Sequence, residues 1–174
     1  MNIQPILENE NVQLVPLKNG DFEKLFQVAS DPLIWEQHPN KDRYKREVFK
    51  IFFDGAMLSG GAFLIIDKKS GEIAGSTRFY DYSEEENSIF IGYTFYARKF
   101  WGSKLNPQVK KMMLDYILQE VDFVRFHVGK ENIRSRKAME KLGAELQGEV
   151  SVAYFGETPK INAEYRITKE NWEK

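Results

Sequence analysis

Two short segments hold residues whose types and spacing could do chemistry. The first, Arg98-Lys99-Phe100-Trp101-Gly102-Ser103-Lys104-Leu105-Asn106, leads from an apolar stretch into an amphipathic one. If a helix starts there, its first backbone amides have no partner within the helix, and the helix dipole adds partial positive charge. That arrangement takes an anion such as a pyrophosphate. Gly102 lets the backbone approach closely or take positive φ, Ser103 adds a hydroxyl donor, and Lys99 and Lys104 add charge. An ordinary solvated turn with a packed Trp101 would account for the same residues. A P-loop is excluded, because G-x-x-x-x-G-K-[ST] is absent.

The second segment runs from Asn132 through Ser135 to Leu142 and Gly143. Asn132 suits a helix N-cap that accepts from the amide of Ser135, and Gly143 suits the left-handed residue that closes a helix. A well-capped amphipathic helix with no chemical role fits equally. His38 and His127 are far apart in sequence and have no patterned acidic neighbours, so no metal site is expected. The chain has no cysteine, which excludes disulfides, thiolate metal sites and a cysteine nucleophile.

In this order and spacing the two segments resemble the GNAT superfamily of N-acetyltransferases, in particular the branch containing the ribosomal-protein N-terminal acetyltransferases. Ile91-Gly92-Tyr93-Thr94-Phe95 is similar to the family's strand ending, Trp101-Gly102 to its W-G loop, and Asn132, Ser135, Leu142 and Gly143 to its N-x-x-S…L-G pattern. The loop departs from the common [RQ]-x-x-G-x-[GA] pattern, since Trp101, Lys104 and Asn106 stand at its fixed positions. The resemblance implies direct attack of an amine on acetyl-CoA in a ternary complex, without metal. It assigns acetyl-CoA to Tyr93, Thr94, Phe95, Trp101, Gly102, Ser103, Lys104, Leu105, Asn106, Asn132 and Ser135. A strand amide would face the acetyl carbonyl as an oxyanion donor, and Ser135, oriented with Asn132, would assist the leaving thiolate.

The attacking amine must be neutral. An α-amine is roughly a tenth neutral at pH 7 and a lysine amine far less, so a base helps either. His127, on the strand before Asn132, is the expected base; relatives that use a strand carboxylate have it where this chain has Phe90. An acceptor pocket is expected from Trp35, His38 and Arg43 with Arg78 and Tyr80, the arginine suited to forking onto a carboxylate. Trp35 as core and the arginines as solvated residues is the competing reading.

The elements that must position these residues follow from periodicity. Residues 12–17 read as a strand, followed by a helix capped by Asn19 with Phe22, Leu25, Phe26 and Ala29 on one face. After an irregular stretch, 31–43, a helix carries Tyr44, Val48, Phe49, Phe52 and Ala56 and ends near Gly60. Residues 62–66 and 72–80 form a hairpin and 88–96 a third strand. A helix with Asn106 as N-cap and Pro107 at N1 then bears Leu105, Val109, Met112, Met113, Tyr116 and Ile117. A strand over 123–128, a helix over 132–142 and strands near 149–155 and 163–168 complete the order β α α β β β α β α β β. The expected fold class is mixed α/β: a twisted, mostly antiparallel sheet flanked by about four helices, one domain over 1–174.

Composition agrees with one packed core: 42% of residues are hydrophobic, 14% aromatic and 29% charged. The net charge of −1 gives no basic field for nucleic acid or an anionic membrane. With no signal peptide and no long apolar run, the expected setting is the cytoplasm, as monomer or homodimer. A non-catalytic acyl-CoA-binding or interaction module is the alternative the fold would allow.

Overall fold

The structure, a computed structural model, describes residues 1–173. Its framework is an eight-stranded sheet in the order β1-β2-β3-β4-β5-β6-β8-β7. The strands are β1 (Leu7–Glu8), β2 (Val12–Pro16), β3 (Ala62–Asp67), β4 (Ile73–Ser83), β5 (Ser88–Tyr96), β6 (Phe123–Gly129), β7 (Glu145–Val152) and β8 (Lys160–Thr168). Every neighbouring pair is antiparallel except β5 and β6. That one parallel pair needs a crossover, and the helix α3 (Leu105–Ile117) supplies it.

Helices α1 (Phe22–Ala29) and α2 (Arg46–Ser59) cover one face of the sheet through a cluster of Leu25, Trp35, Phe49, Phe52, Phe53 and Phe95. On the other face α3 and α4 (Ile133–Leu142) pack Val109, Met113, Ile117 and Met139 against Ile89, Ile91, Val124 and Phe126. A short α5 (Lys169–Trp172), capped by the Thr168 hydroxyl, ends the described chain.

Strand β5 changes sides partway along. Strict alternation would put Ile91 and Phe95 on one face, yet they lie in opposite clusters. The cause is a bulge. Ser76 pairs with Phe95 and Arg78 with Gly92, so Tyr93 and Thr94 together face Thr77 alone, and Tyr93 takes φ 53°. One extra residue moves every later side chain to the other face.

Several boundaries differ from the sequence reading for local reasons. Asn19 does not cap α1: residues Asn19–Asp21 form a 3-10 turn in which the Asp21 carboxylate accepts from the Lys18 amide at 2.8 Å. Asn106 does not cap α3 either. Its side chain turns inward, the Ser103 hydroxyl accepts from the Leu105 amide at 3.3 Å, and the helix begins one residue before Asn106. Pro107 is tolerated there because the first turn leaves its amides unpaired in any case. β1 was not expected, being two residues long, and the strand expected near 149–155 runs instead over Glu145–Val152, an exposed edge strand with few apolar residues to announce its bounds.

Candidate active site

The parallel pairing of β5 with β6 stops at Phe90↔Arg125. Beyond that rung the strands separate, and a cavity of about 430 Å³ opens between Ile91–Tyr96 on one side and Phe126–Gly129 on the other. Its remaining walls come from the loop before α3, the start of α4, and the stretch around His38 and Arg43. Past Phe90, the backbone edge of β5 that faces β6 has no strand to pair with, so it is free to bond a ligand.

At one end stands the start of α3. Gly102 takes φ 72°, a left-handed conformation that favours glycine, and a Cβ there would meet nothing within 4 Å. The amides of Gly102 and Lys104 find no acceptor among the described residues. Trp101 donates its indole N–H to the Tyr96 carbonyl at 3.0 Å, and the Arg134 guanidinium lies 3.6 Å from the centre of its ring. That contact joins the loop before α3 to the first turn of α4 across the separated strands. Burial lowers the Arg134 pKa, the charge of Glu36 opposing it.

At the start of α4, Asn132 is 3% exposed and its side-chain oxygen accepts from the Ser135 amide at 3.3 Å. Gly143 closes the helix with φ 86°. Asn132 and Ser135 both line the cavity. Opposite them on β6, His127 Nε2 lies 2.8 Å from Glu164 Oε1 on β8, its register partner, and the Phe90 ring centroid is 4.6 Å from that of the imidazole.

The other end is aromatic. Tyr154, on the chain leaving β7, donates its hydroxyl to the buried Asn162, and burial pushes its phenol above the ordinary range, so it stays protonated. Arg43, 2% exposed, forks onto Glu157 at 3.0 and 2.9 Å and lies over the rings of Trp35, Phe52 and Tyr154. His38 is pushed down to about 3 by burial and then by the Arg43 and Arg134 charges, so its imidazole is neutral at pH 7.

Of the residues singled out in sequence, Tyr93, Thr94, Phe95, Trp101, Gly102, Ser103, Asn106, His127, Asn132, Ser135 and His38 all border this one cavity. Five do not. Lys104 is exposed and Leu105 packs in the core, and neither lines the cavity. Trp35 is wholly buried and spends its N–H on the Ala29 carbonyl at 2.8 Å. Arg78, expected to reach an acceptor, lies under α2 instead: it donates to the Phe52 carbonyl at 3.2 Å and sits 3.6 Å from the centre of the Tyr93 ring. Burial lowers it to about 10, still charged at pH 7. Tyr80 stacks on Phe90 and meets Tyr93 edge to face, away from the cavity wall.

The sequence reading missed Lys110, Arg134, Tyr154, Glu157 and Glu164. Lys110 had a usable signal, since its helical neighbours three and four residues on, Met113 and Leu114, are apolar. Cavity-lining cations are Arg43, Lys110, Arg134, Lys137 and Lys141, and among the described residues no carboxylate lines the cavity. No group of metal-ligating side chains occurs among them, nor a helix long and apolar enough to cross a membrane.

Free amides at a helix start, a strand edge left open by separation, and a cation-lined channel fit a phosphate-bearing acyl thioester; the architecture is that of an acyl-CoA-dependent transferase. Comparison with known proteins makes the assignment particular. The sequence model of the acetyltransferase (GNAT) domain matches residues 11–145. The chain belongs to that family and is an acetyl-CoA-dependent acyltransferase. A GCN5-related N-acetyltransferase from Brucella melitensis superposes with TM-score 0.83 at 20% identity, covering 98% of this chain and 81% of that one. A candidate ribosomal-protein-serine acetyltransferase from Vibrio cholerae gives 0.74 at 12% identity, covering 97% and 99%. The microcin C7 self-immunity acetyltransferase, solved with acetyl-CoA and AMP, gives 0.69 at 13%, covering 92% and 93%. No curated protein matches the chain.

Proposed function

We propose that the protein transfers the acetyl group of acetyl-CoA to a primary amine, of a small molecule or a peptide N-terminus, by direct attack. The observation that carries this reading is the end of β5–β6 pairing at Phe90↔Arg125, which leaves one channel running from the start of α3 to His127 and Tyr154. Bound there, acetyl-CoA supplies a thioester carbonyl for the amine to attack.

The amides of Gly102 and Lys104 and the Arg134 guanidinium hold the phosphate end. The open edge of β5 around the Tyr93–Thr94 bulge offers backbone N–H to the carbonyl oxygen as charge develops on it. Glu164 accepts from Nε2–H of His127, which fixes the tautomer with a lone pair on Nδ1 and equips the ring to take a proton from the incoming ammonium. Ser135 hydrogen-bonds the departing thiolate, with Asn132 setting the helix start beneath it. His38, Arg43 and Tyr154 line the acceptor end, and Arg43 is already neutralised by Glu157. The absence of cysteine agrees with direct transfer.

Thiol release from acetyl-CoA, measured against a panel of α-amino, lysyl and small primary amines, tests the proposal. Acetylated product with at least one amine is expected. Acetyl-CoA binding without thiol release for any amine would leave an acyl-CoA-binding protein.

A further inference from the structure

Lys110 is the most unusual charged group in the molecule. It lies on α3 one turn beyond Asn106, is 4% exposed and borders the cavity. Its Nζ donates to Thr94 Oγ1 at 3.0 Å and to Asn106 Oδ1 at 3.3 Å, both neutral oxygens. Asn106 Oδ1 also accepts from the Tyr96 hydroxyl at 2.9 Å, and the Thr94 hydroxyl bonds that of Thr77 at 2.8 Å. No carboxylate pairs with Lys110 among the described residues.

The other titratable groups do not answer its charge. On α3 itself Lys111 and Asp115 pair with each other at the surface. From β5, Tyr96 is a neutral phenol, pushed up by burial. β1 and β2, which pack on α3, bring Glu8, already paired with Lys68. Across the cavity stand His127 from β6 and Arg134, Lys137 and Lys141 from α4, with His38 and Arg43 at the far end. All of these are neutral or positive.

A buried cation with only neutral partners is costly, and an apolar side chain of similar volume would pack between α3 and β5 without that cost. We propose that Lys110 is a donor-binding residue: its ammonium, held beneath the Tyr93–Thr94 bulge without a counter-ion in the free protein, is the internal counter-charge for the anionic acyl donor. The inference rests on the donor reading above and adds to it a residue and a coupled proton. Burial lowers Lys110 to about 7 in the free protein. A bound anion favours the charged form and raises it. Between those two values the complex keeps a proton that the free protein has lost, so acetyl-CoA binding takes one up and weakens as pH rises, by up to about tenfold per pH unit above 7.

Calorimetry of acetyl-CoA binding at about pH 8.5, in buffers of different ionisation enthalpy, reads this directly, since the phosphates of the ligand are already fully ionised there. Wild-type protein is expected to take up a proton, approaching one per acetyl-CoA bound. Lys110→Gln keeps a hydrogen-bond donor toward Thr94 and Asn106 but loses the charge; it should bind more weakly and without that uptake. Lys110→Arg should bind with an affinity nearly independent of pH in this range, because a guanidinium stays charged. Unchanged proton uptake in Lys110→Gln would assign the proton to another group and overturn the proposal, as would wild-type binding with no uptake. Absence of acetyl-CoA binding to wild type is a different result, which removes the donor site itself.

Discussion

His127 on β6, which lines the cavity, and Glu164 on β8 behind it stand directly opposite in the antiparallel ladder, with Nε2 and Oε1 2.8 Å apart. The strand register alone brings them together, and the Phe90 ring packs at a tilt against the imidazole. His127→Ala should lower kcat by about 100- to 10,000-fold, the range for removing a general base. Glu164→Gln preserves a hydrogen-bonding partner and should cost less, with the loss in kcat rather than in acetyl-CoA affinity. Steady-state kinetics with a confirmed acceptor checks both, and a His127→Ala enzyme of wild-type kcat would pass the base role to water or another group.

Ser135 and Asn132 separate chemistry from capping. A thiol with pKa near 8.5 leaves tolerably without full protonation, so Ser135→Ala should lower kcat by about one to three orders of magnitude. Its acetyl-CoA affinity should change little. Asn132→Ala removes the side-chain acceptor for the Ser135 amide and should also destabilise the fold by about 1 kcal/mol. Thermal melts beside the rates distinguish the two, and full turnover in a folded Ser135→Ala protein would reduce Ser135 to a helix-start residue.

His38 links the acceptor end to stability. Its folded pKa, about 3, lies below the unfolded value near 6.5, so the unfolded chain binds a proton first as pH falls. The stability of the neutral, packed imidazole is complete above 6.5 and is lost as pH drops from there toward 3, by up to about 1.4 kcal/mol per pH unit. Urea unfolding between pH 7 and pH 4 should therefore show a shallower acid loss for His38→Leu than for wild type. Parallel curves would mean that the imidazole protonates freely in the fold.

Much of the local structure around the proposed donor site is legible in the sequence. The third strand expected after the hairpin, 88–96, has those bounds as β5, and Asn132 and Gly143 announced both ends of α4, because capping is local chemistry between residues three or four apart. Glycine at 102 signalled a left-handed turn for the same reason. These features depend on near neighbours in the chain, which a sequence displays.

The acceptor end and the charge balance were decided by tertiary structure. The bulge at Tyr93–Thr94 depends on how β4 pairs with β5, and it alone determines that Phe95 joins the α2 side while Tyr96 faces α3. Arg78 and Trp35 have side chains suited to a pocket, yet α2 and the chain around Ala29 bury them and take up their donors. Arg43 meets Glu157, and His127 meets Glu164, only because distant strands and loops fold side by side. Lys110 reads as one more polar residue on an amphipathic helix until β5 covers it, since the cost of an unpaired charge arises from burial, and burial is set by the whole fold.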